Sequence, residues 1–191
     1  MTIKRLAIYC GALQGKDPDY MVEAEKVGEW LAAHQIELVY GGGQHGLMGA
    51  VARGVLANGG VVHSILTQEL YDRGVALPGV TDRQIVANMD LRKEKMMTLA
   101  DGMIAFPGGL GTLEEISQAA SWVTIGDNAK PVAVYNYRGY YDNLKKQLVT
   151  MNQAGFLEDQ YLREICFSSN LDEILRFMEG YQAPAHRTYD K

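Results

Sequence analysis

The chain has 191 residues, of which 47% are hydrophobic and 21% charged, and its formal net charge is −5. This length suits one well-cored domain, and the acidic balance argues against a broad nucleic-acid-binding surface. No apolar stretch approaches the roughly 18 residues of a transmembrane span, and the first apolar run is too short for a signal-peptide core. We therefore expect a cytoplasmic protein that binds neither nucleic acid nor membranes.

Short apolar runs alternate along the chain with amphipathic segments. The runs predict strands at 6–10, 37–40, 61–66, 103–106, 132–135 and 165–167. Helical patterns lie near 18–33, 46–58, 89–100, 111–124, 140–153 and 171–179. Strands rich in Val, Ile and Leu are typical of sheets buried on both faces, and β-then-α alternation indicates parallel strands. The sequence therefore predicts the α/β class, with a Rossmann-like, doubly wound parallel sheet in a single domain.

The remaining segments lack a clear pattern. Residues 67–88 have weak periodicity and contain Pro78 and Gly79, which predicts a loop with short structure. We place the domain at 1–180, and the tail 181–191, without an apolar pattern, is predicted to be frayed. The two cysteines, Cys10 and Cys166, lie in apolar runs and are interpreted as buried, reduced thiols.

Three glycine-bearing turns follow predicted strands, at 10–12, 41–43 and 107–111. In open parallel sheets, ligands bind beyond the carboxyl ends of the strands. A single glycine pair is most often an ordinary tight turn, but three such turns on one rim favour a ligand site. The third turn opens a helix, where bare N–H groups bind phosphate well. The spacing matches neither the dinucleotide fingerprint nor the phosphate-binding P-loop.

Two acids and two cations stand out near predicted helix starts. Glu114 and Glu115 lie in the first turn after the third glycine turn, where the helix dipole favours ionised carboxylates. The helical pattern does not indicate which of the two glutamates has a functional role. It is equally consistent with two ordinary first-turn acids that have none. Asn88 is predicted to cap the helix that carries Arg92 and Lys93. An anionic substrate or a partner carboxylate would explain this pair of cations. The alternative is that Arg92 and Lys93 lie on the surface and are solvated.

Other residue types give no functional pattern. The four histidines show no metal-ligand spacing, so no metal site is predicted, and no Ser/His/Asp arrangement is present.

On the helix that begins after the third glycine turn, a helical wheel predicts one buried face. Its members are Leu113, Ile116, Ala120 and Val123.

Four motifs, in this order and spacing, resemble those of the LOG (Lonely Guy) family of cytokinin riboside 5′-monophosphate phosphoribohydrolases. They read YGGG at 40–43, GLMG at 46–49, MDLRK at 89–93 and PGGLGTLEE at 107–115. The resemblance runs from about residue 3 to residue 178, so the predicted domain is of the LOG type. Many members of this family carry the misleading label "possible lysine decarboxylase".

The resemblance implies hydrolysis of the N-glycosidic bond of a purine nucleoside 5′-monophosphate, either AMP or an N6-modified cytokinin-type nucleotide. The products would be the free base and ribose 5-phosphate, without a cofactor. It implies that Arg92 and Glu115 are catalytic. The expected substrate-binding residues are Gly108, Gly109, Gly111 and Thr112, which would hold the phosphate, together with Lys93, Glu114, Gly42 and Gly43. The family also implies a homodimer with sites close to the subunit interface.

The sequence departs from the family pattern at several positions. Asp90 stands where the family has His, and Thr67 where it has Pro. Gly74 and Leu77 align with a Glu and a His of many members. Because that Glu helps the family bind substrate, the preferred base is left open.

Three other hypotheses remain for comparison. A non-catalytic nucleotide-binding protein on the same fold would not require Arg92 and Glu115, so their presence favours an enzyme. A true lysine decarboxylase would need pyridoxal phosphate on a Schiff-base lysine, and no lysine here has a recognisable cofactor context. A dehydrogenase is disfavoured by the missing dinucleotide fingerprint.

Overall fold

The computed structural model describes residues 1–188, in which strands and helices alternate along the chain. The strands are β1 (Arg5–Tyr9), β2 (Glu37–Tyr40), β3 (Val62–Thr67), β4 (Asp82–Val86), β5 (Gly102–Ala105), β6 (Val132–Tyr135) and β7 (Ile165–Ser168). The helices are α1 (Asp19–Ala33), α2 (Gly46–Ala57), α3 (Gln68–Asp72), α4 (Met89–Leu99), α5 (Leu110–Ile125), α6 (Asp142–Gln153), α7 (Asp159–Arg163) and α8 (Leu171–Gly180). A short 3-10 helix at Tyr137–Gly139 precedes α6.

The strands form a seven-stranded sheet in the order β4-β3-β2-β1-β5-β6-β7. Every pairing between neighbouring strands is parallel. From β1 the chain winds outward to β4 and then crosses back to place β5 on the other side of β1. This confirms the predicted Rossmann-like, doubly wound parallel sheet. The reversal leaves a crevice at the carboxyl ends of β1 and β5, where ligands bind in such sheets.

Alternate residues of β1 face two separate apolar layers. Leu6 and Ile8 pack with residues of α1, α2 and α8. Ala7 and Tyr9 pack on the other face with residues of α4 and α5. Because helices cover both faces, the central strands carry continuous apolar runs, as the sequence indicated.

The segment 67–88, predicted as a loop with short structure, contains a five-residue helix and a five-residue strand. β4 lies at the sheet edge, pairs with β3 from His63↔Asp82 to Thr67↔Val86, and is partly exposed along its whole length. An edge strand of this kind needs no apolar run, so its polar sequence gave no strand signal. Helix α3 begins after Thr67, whose hydroxyl accepts a hydrogen bond from the Leu70 N–H at 3.3 Å.

The prediction of a frayed tail is wrong for residues 181–188, and its last residues, 189–191, lie outside the described part of the chain. Tyr181 is buried, and the Ala185 carbonyl accepts a hydrogen bond from the Tyr161 hydroxyl at 3.0 Å. The Arg187 guanidinium pairs with the Glu158 carboxylate, and the backbone N–H of Arg187 donates to the Thr124 carbonyl. These scattered anchors have no periodicity, so an apolar pattern could not reveal them.

Within residues 1–188, no helix is both long enough and apolar enough to cross a membrane. Helix α5 has 16 residues and α1 has 15. Both are shorter than the roughly 20 apolar residues that a transmembrane helix requires.

Candidate active site

A cavity of about 490 Å³ opens where the strand order reverses between β1 and β5. Its walls come from the loop after β1, the start of α2, Arg92 of α4, the turn after β5, Glu115 of α5 and Tyr140. The volume suits a small-molecule ligand. We refer to this cavity as the cleft.

The turn between β5 and α5 lines the cleft mainly with backbone atoms, because it contains two glycines. Gly109 is the N-cap of α5 and provides no side-chain cap, so the first N–H groups of this helix keep no partner from a capping side chain. A Cβ on Gly108 would lie 2.1 Å from Thr112 Oγ1 and 2.8 Å from the Gly11 nitrogen. Only glycine therefore fits at position 108. The uncapped N-terminus of α5 lies at the cleft, and such a helix end is suited to binding an anion. Gly108, Gly109, Gly111 and Thr112, for which phosphate binding was predicted, all line the cleft.

Three consecutive carbonyl groups of this turn are held by donors from elsewhere in the chain. The Tyr141 hydroxyl donates to the Phe106 carbonyl at 3.0 Å. The Gly11 N–H donates to the Pro107 carbonyl at 3.0 Å, and the Tyr140 hydroxyl donates to the Gly108 carbonyl at 2.6 Å. No sequence pattern indicated either tyrosine, because both follow the turn by more than 30 residues and belong to no recognised motif.

Arg92 reaches the cleft from the end of the first turn of α4. The predicted cap is confirmed, since Asn88 Oδ1 accepts a hydrogen bond from the Leu91 N–H at 2.9 Å. The buried guanidinium of Arg92 donates from Nε to the Ile65 carbonyl and from Nη2 to the Gly41 carbonyl, both at 3.0 Å. Backbone carbonyls of β3 and of the turn after β2 therefore compensate a cation that the helix start would disfavour.

The guanidinium of Arg92 also faces Glu115, with Nη1 at 3.6 Å from Glu115 Oε1. Only 13% of the Glu115 side chain is exposed. This burial raises the pKa of Glu115 to about 7, although the nearby positive charge of Arg92 acts in the opposite direction. Loss of hydration therefore outweighs the helix dipole at Glu115, and its pKa lies above the value expected for a first-turn carboxylate.

Glu114 points away from this pair. Its side chain is 59% exposed and accepts a hydrogen bond from Lys93 Nζ at 2.7 Å. Lys93 Nζ also lies 3.3 Å from Asp90 Oδ1. Neither Lys93 nor Glu114 is among the residues that line the cleft. The structure thus separates two glutamates that the helical pattern left equivalent.

The helical wheel of α5 was right for Ile116 and Val123 and needs two corrections. Leu113, predicted to be buried, is 37% exposed, and Ala120 is only partly buried. Thr112 and Ala119 are buried in their place.

The second glycine turn supports the cleft from behind. Gly42 has φ +81° and leaves no room for a Cβ, which would lie 2.4 Å from Leu66 Cγ. Gly43 forms an isolated antiparallel bridge with Ala76. Neither Gly42 nor Gly43 lines the cleft. Their neighbour Gly41 contacts Arg92 directly, since a Cβ there would lie 1.8 Å from Nη2.

Cys10 and His45, which lie at or near the cleft, show no features of a nucleophile or a metal ligand. Burial raises the pKa of the Cys10 thiol far above its usual range, so the thiolate is disfavoured. His45 caps α2 without a side-chain hydrogen bond and is exposed. No group of three or more His, Cys, Asp or Glu residues within 1–188 is arranged to hold a metal ion.

Comparisons with known proteins identify relatives over nearly the whole chain. A family model described as "Possible lysine decarboxylase" matches residues 48–178. Cytokinin riboside 5′-monophosphate phosphoribohydrolase LOG7 of Arabidopsis thaliana is 36% identical over 179 residues, which cover 94% of this chain and 82% of that protein. Cytokinin riboside 5′-monophosphate phosphoribohydrolase LOG of Oryza sativa subsp. japonica is 34% identical over 178 residues, covering 93% and 74%.

Solved structures share the fold at low identity. The molybdenum cofactor binding protein from Rippkaea orientalis superposes with a TM-score of 0.67 at 19% identity, covering 94% of this chain and 97% of that one. The Moco carrier protein from Chlamydomonas reinhardtii gives a TM-score of 0.70 at 14% identity, covering 94% and 100%. At these identities the likeness concerns the arrangement of strands and helices alone.

Proposed function

This chain belongs to the LOG family of cytokinin riboside 5′-monophosphate phosphoribohydrolases, and we propose that its own substrate is a purine nucleoside 5′-monophosphate, either AMP or an N6-modified cytokinin-type nucleotide. It is a hydrolase of the N-glycosidic bond between the base and ribose 5-phosphate. The observation that carries the substrate proposal is one cleft that joins an uncapped helix N-terminus to the Arg92–Glu115 pair. A non-catalytic binding protein would not require that pair.

The phosphate end of the substrate belongs on the turn after β5. The N–H groups that follow Gly108 and the dipole of α5 favour a dianionic phosphate there. The phosphate is remote from the bond that breaks, so its contacts with the protein stay the same during the reaction. Their binding energy serves to position the ribose. Gly108, Gly109, Gly111 and Thr112 are the proposed phosphate-binding residues.

Glu115 is the proposed catalytic carboxylate. Cleavage of a glycosidic bond develops positive charge on the ribose, as in other glycoside hydrolyses. An ionised Glu115 stabilises that charge or accepts a proton from the attacking water. A pKa of about 7 supports this role, because the group exchanges a proton readily near neutral pH.

Arg92 is proposed to keep Glu115 oriented and to supply positive charge beside it. Its Nε and Nη2 are occupied by the Ile65 and Gly41 carbonyls, so Nη1 is the nitrogen turned toward Glu115. Anchoring by two backbone carbonyls makes the guanidinium a rigid element of the site. Alanine at position 92 would leave Glu115 buried without its cation.

Lys93, Glu114, Gly42 and Gly43 remain proposed contributors to substrate binding, acting from outside the cleft lining. The Lys93–Glu114 ion pair joins the start of α4 to the start of α5. Gly42 and Gly43 hold the turn that presents the Gly41 carbonyl to Arg92. These contacts support an indirect role through the placement of Arg92 and Glu115.

We also propose a homodimer that forms through the starts of α4 and α5. Leu110 is 85% exposed, and Met89, Leu91 and Leu113 are also exposed apolar side chains. A surface of this kind, placed beside the cleft, is typical of a subunit interface.

The deciding experiment incubates the purified protein with AMP and with N6-prenylated AMP and follows free base and ribose 5-phosphate by chromatography. We expect base release from at least one nucleotide, and the ratio of the two kcat/KM values gives the base preference. Glu115→Gln, which keeps the shape of the side chain, should abolish release and retain the fold by circular dichroism. No release from either nucleotide by wild-type protein that still binds them would overturn the substrate proposal.

A further inference from the structure

The turn after β5 presents N–H groups to the cleft only if its peptide planes keep one orientation. In a trans peptide, the carbonyl of one residue and the N–H of the next point in opposite directions. A donor that holds the Gly108 carbonyl therefore also fixes the direction of the Gly109 N–H. That donor is the Tyr140 hydroxyl, at 2.6 Å.

Among residues 1–188, no other group makes a hydrogen bond to the Gly108 carbonyl or to the Gly109 N–H. A Cβ built on Gly109 or Gly111 would meet no atom within 4 Å, so no side chain packs against the turn at these positions. The preceding peptide is held separately, because the Gly11 N–H donates to the Pro107 carbonyl. Glycine has wide backbone freedom, and an unrestrained Gly108–Gly109 peptide would sample other orientations.

Tyr140 is itself fixed by aromatic neighbours. Its ring makes an edge contact with Tyr20, at 6.0 Å between centroids and 80° between planes. A second edge contact joins it to Tyr141 at 4.8 Å and 85°. Aromatic pairs in this geometry hold a ring in place, so the hydroxyl remains on Gly108 while the side chain is still 45% exposed at the cleft.

We propose that Tyr140 is a positioning residue for substrate phosphate: its hydroxyl fixes the Gly108–Gly109 peptide so that the Gly109 N–H is presented to the anion. The inference rests on the proposed function, since it assumes that the phosphate lies on this turn. It assigns Tyr140 to phosphate affinity and leaves the chemistry at the ribose to Arg92 and Glu115.

The test is Tyr140→Phe, which keeps the ring and removes the hydroxyl. We expect KM for the nucleotide to rise by roughly 10-fold, as for loss of one hydrogen bond that orders a charged contact. The inhibition constant of ribose 5-phosphate should rise by the same factor, while kcat stays within about threefold. Inhibition by free adenine, which has no phosphate, should be unchanged.

A matched control lies in the same segment. Tyr137→Phe removes a hydroxyl from a ring that also contacts Tyr20 but does not line the cleft, and it should behave as wild type. Thermal unfolding of both variants checks that the fold is retained. A structural role alone would lower the thermal midpoint of Tyr140→Phe and weaken ribose 5-phosphate and adenine together.

Two results would overturn the inference. One is an unchanged ribose 5-phosphate affinity in Tyr140→Phe, and the other is a fall in kcat with no change in KM. Calorimetric titration with ribose 5-phosphate keeps the test independent of turnover. If wild-type protein releases no base, the proposed function fails, and a selective loss of ribose 5-phosphate affinity in Tyr140→Phe still supports the positioning role.

Discussion

At the scale of single residues, Glu115 gives the site its pH dependence. Its pKa of about 7 in the folded protein lies above the roughly 4.3 of an exposed glutamate. Between these values the folded state binds a proton that the unfolded chain has released. The contribution of Glu115 to the free energy of unfolding is therefore fully present below about pH 4 and is lost as the pH rises through about 7. We expect the free energy of unfolding of wild type to fall relative to that of Glu115→Gln, by on the order of 2–3 kcal/mol across this range.

Urea unfolding of both proteins at several pH values between about 4.5 and 8 measures this difference. Glu114→Gln provides the control, because the charge of Glu114 raises the pKa of Glu115. In that variant the decline should move to lower pH, and so should the rise of kcat that accompanies ionisation of Glu115. A difference between wild type and Glu115→Gln that does not change with pH would contradict the assignment.

Gly41 owes its identity to Arg92. A Cβ at this position would lie 1.8 Å from Arg92 Nη2, and the backbone of Gly41 is outside the left-handed region, so alanine is excluded by the guanidinium alone. Gly41→Ala should displace Arg92 from Glu115 and lower kcat by about 10- to 100-fold, since small misplacements in a catalytic site are costly. Steady-state kinetics, together with the thermal midpoint, measures this effect.

The double variant separates this mechanism from a general disturbance of the turn. In an Arg92→Ala background the clash no longer exists, so adding Gly41→Ala should cause no further loss of activity. An additional loss of similar size in that background would mean that Gly41 acts through another contact.

At the scale of elements, two glycines allow α1 and α2 to pack at close range. A Cβ on Gly54 would lie 2.4 Å from the Glu25 carbonyl oxygen, and one on Gly28 would lie 2.2 Å from that of Val51. Because α2 begins with Leu47 and Met48 in the cleft wall, this spacing also places the wall. Gly54→Ala should destabilise the fold by about 1–3 kcal/mol, despite the higher helix propensity of alanine.

Denaturant unfolding gives the stability of this variant beside a control glycine. Gly180 ends α8, and a Cβ there meets no atom within 4 Å, so Gly180→Ala should be neutral or slightly stabilising. Equal stability of the two variants would show that α1 and α2 tolerate a wider separation.

Elements with a strong local pattern were predictable, and those defined by distant contacts were not. The central strands were predicted because burial on both faces demands apolar runs, whereas β4 has one neighbour and a polar sequence. The turn after β5 was predictable as a glycine pattern between a strand and a helix. The separation of Glu115 from Glu114 depends on Arg92 and Lys93, which lie more than 20 residues earlier in the chain. The same holds for Tyr140, whose partner Gly108 precedes it by 32 residues.

At the scale of the whole molecule, α5 presents one stripe of exposed residues on its outer surface. Leu113, Ser117 and Ser121 follow each other at intervals of four residues, so they share one side of the helix. Ser117 and Ser121 line a second cavity of about 320 Å³, whose other walls are largely apolar. Small residues along a helix permit a close approach by another helix, which supports the proposed homodimer through α4 and α5.

Leu110 provides the test of this interface, because its side chain is 85% exposed and its replacement should not disturb folding. We expect wild type to be dimeric by light scattering and Leu110→Glu to be monomeric at micromolar concentration, with a dissociation constant raised at least about 100-fold by a buried charge. Val22→Glu, an exposed apolar position of α1 on the opposite face of the sheet, should remain dimeric. A monomeric wild type, or a Leu110→Glu variant that stays dimeric while Val22→Glu dissociates, would place the interface elsewhere or remove it.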